Sequence, residues 1–100
     1  MAEWRYAQRN TSEELAHVSF FSMKKVQDGR EIEFLITVRE YVSPRDPSMP
    51  FYAEADKQVN QRSAPYTPSG WGVSLLEALS ECMEAIRKFP YEGETAASAR

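Results

Sequence analysis

The chain has one cysteine and one histidine among its 100 residues. A single cysteine builds no internal disulfide. Cys82 falls on the apolar side of a helical pattern, where a thiol serves as a small core residue rather than a nucleophile. A reducing cytoplasm is the simplest setting for such a chain. One histidine leaves a His-rich metal site or a Ser-His-Asp arrangement without material, so His17 reads as structural or solvated. No apolar run approaches the length of a transmembrane span, and Met1-Ala2-Glu3-Trp4-Arg5 carries no apolar signal-peptide core. The expectation is therefore a protein that is not an enzyme, with no cofactor, no metal site and no membrane partner.

What is present fits an ordinary globular chain. With 42% hydrophobic and 27% charged residues, the composition is not that of a disordered protein. The length is enough for one small domain, expected over residues 1–91. The remainder, 92–100, has no large apolar residue and is expected to be a disordered tail. A net charge of −3 argues against a protein whose main work is holding nucleic-acid backbone.

The best-defined segment runs from Ser74 to Phe89. Ser74-Leu75-Leu76-Glu77 has the form of a capping box, in which the serine oxygen takes the Glu77 N–H and the glutamate reaches back to Ser74. Leu75, Leu79, Cys82, Met83, Ile86 and Phe89 then recur at spacings of three and four, with Leu76 widening the stripe. Glu77, Ser80, Glu81, Glu84, Arg87 and Lys88 occupy the other face. Acids lie early and bases late, which suits the helix dipole, and Glu84 and Lys88 are spaced for an ion pair. Pro90 ends the helix.

A hairpin is equally well marked. Val18–Val26 and Arg30–Val42 flank Asp28-Gly29, the pair favoured in a two-residue type I′ loop. That loop pairs Gln27 with Arg30, Met23 with Phe34, Phe21 with Ile36 and Lys24 with Glu33. One face then collects Phe21, Met23, Ile32, Phe34, Ile36 and Val38, and the other carries a Lys24–Glu33 ion pair. A slip of one residue would scatter this set. Pro44, Pro47 and Pro50 make the following stretch a loop. Phe51–Val59 alternates again, as a third strand with small alanines that leave room for a helix. Gln61–Gly72 reads as irregular. Near the start, Trp4 and Tyr6 suit a strand, while Thr11-Ser12-Glu13-Glu14 resembles a capping box for a short helix over Ser12–His17. The architecture is α+β: a three-stranded antiparallel meander, a C-terminal amphipathic helix on its apolar face and a short N-terminal helix.

The order α-β-β-β-α, with Gly70-x-Gly72-x-Ser74-x-x-Glu77-Ala78 opening the last helix, resembles the double-stranded RNA-binding domain (dsRBD). Leu76-Glu77-Ala78-Leu79 and Ala85-Ile86 after the strands also resemble the HicB-type antitoxin domain. The first resemblance implies phosphate-binding lysines at the helix start, where helix dipole and cations act together. Leu75 and Leu76 stand there instead, and the short acidic loop Gln27-Asp28-Gly29-Arg30 replaces a long groove-reaching one. The second implies a protein partner.

Glu31, Glu33, Glu40, Glu54 and Asp56 interleave with Lys24, Arg39 and Lys57, the pattern of a salt-bridged solvent face rather than a cation site. Gly70-Trp71-Gly72 lacks the Gly-Lys-Ser/Thr of a phosphate loop. Aromatic residues beside the Pro-rich loops are the candidate binding set: Tyr52, Tyr66 and Trp71, with Arg62 nearby. They either line a groove for a peptide strand or stacked base, or close the ends of a small core. Three functional classes follow. The leading one is an interaction domain that self-associates through an exposed strand edge or takes a protein partner. The second is nucleic-acid binding through the aromatic loops and Arg30, Arg39, Arg45 and Arg62. The third is a small-ligand pocket near Trp71 and Tyr66.

Overall fold

The computed structural model describes residues 3–92. A 3-10 turn, Glu3–Ala7, precedes β1 (Ala16–Gln27), β2 (Arg30–Tyr41), β3 (Phe51–Ala55), β4 (Ser69–Gly72) and α1 (Leu75–Lys88). The strands form one antiparallel sheet in the order β1-β2-β3-β4. The α+β meander with a C-terminal helix is as the pattern implies, with a fourth strand added at its edge.

The hairpin register matches the sequence reading pair for pair, from Gln27 opposite Arg30 to Phe21 opposite Ile36. Asp28 and Gly29 both have positive φ, 52° and 76°, as a type I′ turn requires. The ion pair differs: Lys24 lies 4.0 Å from Glu31, while Glu33 accepts a 2.6 Å hydrogen bond from the Ser22 hydroxyl. Both acids are on the solvent face, so the short serine contact is made without moving the longer lysine.

The N-terminal segment departs from expectation. Residues 12–17 form no helix, because the Glu13 carboxylate accepts the backbone N–H groups of Arg9 and Asn10 at 3.1 and 3.3 Å. Those bonds, with one from the Asn10 side chain, hold its carboxyl below the usual range. Glu13 thus ties a turn, and Ala16 is already paired with Tyr41. Trp4 and Tyr6 sit on the 3-10 turn rather than a strand. Trp4 packs its ring 5.5 Å from that of His17, and Arg5 pairs with Glu40 at 3.1 Å.

The third strand ends at Ala55, short of Val59. Val59 returns alone as a bridge to Tyr66, just before Asn60 turns at φ 55°. The stretch read as irregular supplies β4, whose Gly70 and Gly72 pair with Ala53 and Phe51. Small residues on both strands admit the helix backbone directly onto the sheet. The core between them holds Phe34, Ile36, Val38, Ala53, Val59, Ala78, Cys82 and Ile86.

Ser74 caps α1 by accepting the Glu77 N–H at 3.1 Å. The return bond goes to Val73 N–H at 2.8 Å instead of Ser74. Glu84 pairs with Arg87 at 3.5 Å, one residue nearer than Lys88. Leu76 does not widen the buried stripe. It is 72% exposed, and Ala78, whose backbone lies against the β4 glycines, takes the buried position. At the other end, Lys25 Nζ donates to the carbonyls of Ile86 and Phe89 at 2.7 and 2.9 Å. This satisfies helix-end acceptors with a cation, while burial pushes the ammonium pKa down. Residues 93–100 of the expected tail lie outside the described residues, and Glu92 is bonded to Gln61 and Arg62. Among the described residues, no helix is long and apolar enough to cross a membrane.

Candidate functional site

Because α1 covers one face of the sheet, the other face is left to solvent. Its side chains come from even positions of β1 and β3 and odd positions of β2 and β4. Trp71 lies between the two glycines that face the helix, so its ring projects to the open side. There it is in register with Tyr52, with ring centroids 4.5 Å apart and planes inclined at 40°. Arg39 is the next residue along the same row on β2.

Beside this pair is a cleft of about 230 Å³, lined by Glu14, Tyr41, Arg45, Tyr52 and Trp71. On the far side of Trp71 and Arg45 is a second hollow of about 250 Å³, reaching Asp46 and Met49. The Asp46 carboxylate is engaged by the Ser48 hydroxyl and N–H, which hold its pKa down. Burial, then the charge of Glu54, raise that of the Tyr52 phenol. Neither the Glu14 nor the Arg45 side chain has a hydrogen-bond or ion-pair partner among the described residues.

The four candidate residues do not form one site. Tyr66 packs against Phe89, at 5.9 Å, over the helix end. It lines an apolar hollow of about 560 Å³ with Pro65, Ala85 and Lys88, which Tyr52 and Trp71 do not enter. Arg62 is exposed, and its backbone N–H is bonded to Glu92. Tyr52 and Trp71 are brought together; Tyr66 and Arg62 belong to the other side. Tyr41 and Glu14 were not among the sequence candidates, and Arg45 was named only as one of four arginines for nucleic acid, not as a neighbour of Tyr52 and Trp71. Tyr41 was findable, since it shares the parity of Arg39 on β2. Glu14 and Arg45 come from loops and leave no periodic signal.

The strand edge is a separate surface. Val42 N–H bonds Leu15 O, which fixes odd residues of β1 as those paired with β2. Val18, Phe20, Ser22, Lys24 and Val26 therefore turn their N–H and C=O groups to the open edge, where no strand pairs with them among the described residues. The same residues point their side chains to the uncovered face. Phe20 is 76% and Val26 74% exposed, and Leu35 beside them is 50% exposed.

The acidic residues are dispersed. Glu40 pairs with Arg5, Asp56 with Lys57, and Glu54 accepts from the Tyr52 hydroxyl at 3.4 Å. Among the described residues, no group of three potential ligands stands together to hold a metal. Cys82 is fully buried, its thiol donating to Pro68 O at 3.4 Å. Burial, with the charge of Glu54, pushes the thiol up to about 11.

No protein-family model, curated protein or solved structure matches this chain.

Proposed function

We propose that this chain is a small non-catalytic interaction domain that associates with a second copy of itself by joining β1 edges into a continuous antiparallel sheet. One observation carries the reading: the outer edge of the twelve-residue β1 has no strand paired with it among the described residues, and the strand carries Phe20 and Val26 exposed. Open backbone groups and apolar side chains on the same strand are the two ingredients of strand addition. Lysines commonly guard such edges. Here Lys25 is folded under the helix end, which leaves Lys24 alone. An antiparallel two-fold carries the two copies of Lys24 to opposite halves of the joint, so they do not oppose each other. A HicB-like antitoxin role, which the resemblance implies, would place a different protein on this edge.

Sedimentation equilibrium tests the proposal. The reading expects a mass near twice the 11.5 kDa of the chain, falling to that of the monomer in Phe20→Lys. A strict monomer at high concentration contradicts it.

A second reading rests on the Arg39–Tyr52–Trp71 row, which has the composition of a base-stacking platform in a dsRBD-like nucleic-acid-binding domain. It expects salt-dependent binding of single strands or short duplex RNA. A flat titration at low salt removes it.

A further inference from the structure

Three aromatic residues and two opposite charges meet at the cleft on the open face; the Tyr52 hydroxyl reaches Glu54, but among the described residues no cation lies over the three rings and neither charged side chain is paired. The cation–π pairs among the described residues fall on Trp4, Phe34 and Phe89, none of them in the cleft. Tyr41, Tyr52 and Trp71 thus offer ring surface to a cation, with none from the described residues upon it. Glu14 and Arg45 line the same cleft, and neither has an ion-pair partner among the described residues. Opposite charges that stand at one hollow without pairing to each other suit a ligand carrying both signs.

We infer that this cleft binds a small zwitterion, a carboxylate linked through one or two carbons to an alkylated or primary ammonium. The ammonium lies against Tyr52, Trp71 and Tyr41 with Glu14 balancing its charge, because aromatic faces attract a cation most strongly when it is weakly hydrated. The carboxylate turns to Arg45, whose planar fork matches a carboxylate with two parallel hydrogen bonds. A volume of about 230 Å³ admits a molecule of this size and excludes a folded peptide. The hollow beyond Trp71, with Met49, gives an apolar substituent somewhere to go. This inference does not depend on the joining of β1 edges, which lies on the opposite side of the sheet from β4.

The test is a titration of the full chain followed by the indole N–H resonances, in which Trp4 serves as the internal control for Trp71. Glycine betaine is the probe, and 3,3-dimethylbutyrate is its isostere with carbon in place of the cationic nitrogen. The inference expects saturable shifts of Trp71 alone with betaine, and binding of the isostere weaker by about tenfold, the cation–π contribution. Glu14→Gln and Arg45→Gln, both exposed and outside the core, each weaken betaine. Glu14→Gln leaves the isostere unchanged. L-leucine binding as tightly as betaine supports the same site and assigns it to free amino acids rather than methylated ones. The inference is overturned if neither zwitterion moves Trp71 up to tens of millimolar, or if betaine and its isostere lacking the cation bind equally.

Discussion

Gly70 lies directly beneath Ala78, so close that a β-carbon on the glycine would stand 2.6 Å from the Ala78 carbonyl oxygen. Backbone thus packs on backbone where β4 meets α1. A Gly70→Ala substitution forces the helix away from the sheet, and so does Gly72→Ala, whose β-carbon would stand 2.6 Å from Ala78 N. Each is expected to destabilise the fold by about 1–3 kcal/mol, the usual range for overpacking. Urea denaturation of the two variants checks this.

Gln27 makes a pair of hydrogen bonds with Tyr91 that imitates a strand pairing. Its amide nitrogen donates to Tyr91 O and its oxygen accepts from Tyr91 N–H, both at 2.8 Å. The clasp holds Tyr91 edge-on to Phe34 in the core, with centroids 5.8 Å apart. Gln27→Ala loses both bonds and is expected to cost about 1–3 kcal/mol. Gln27→Glu loses the donor but keeps the acceptor, so thermal melts should rank wild type above Glu above Ala.

Cys82 gives a pH signature. Its thiol has a raised pKa in the folded state, so the folded chain holds this proton more tightly than the unfolded chain does. Stability from this group is full below the unfolded value of 9.0 and is lost as pH rises toward about 11. A stability profile across that window should fall, and Cys82→Ala should flatten this part of the fall. A thiol reagent at neutral pH should react only at the rate of opening.

The hairpin was legible because two independent signals agreed. Asp28-Gly29 sets the loop, and only one register gathers Phe21, Met23, Phe34 and Ile36 on one face. The cap at Ser74 was legible for a similar reason. β4 was not, since Ser69-Gly70-Trp71-Gly72 has poor strand propensity and is held by pairing with β3 and by the helix lying on its glycines. Missing that strand concealed the site as well. Once Trp71 is placed on β4, strand parity alone puts it beside Tyr52 and separates both from Tyr66. The N-terminal turn was misread because Glu13 in Thr11-Ser12-Glu13-Glu14 bonds backward to Arg9 and Asn10, a choice a capping pattern does not reveal.

The proposed use of the β1 edge is tested most directly by amide hydrogen exchange, resolved by residue and measured at micromolar and millimolar concentration. Joined edges predict that the amides of Val18, Phe20, Ser22, Lys24 and Val26 gain protection as concentration rises, while Ser19, Phe21 and Met23, already bonded to β2, begin protected. If those five amides exchange as freely at millimolar as at micromolar concentration, β1 is not where this chain meets a second copy.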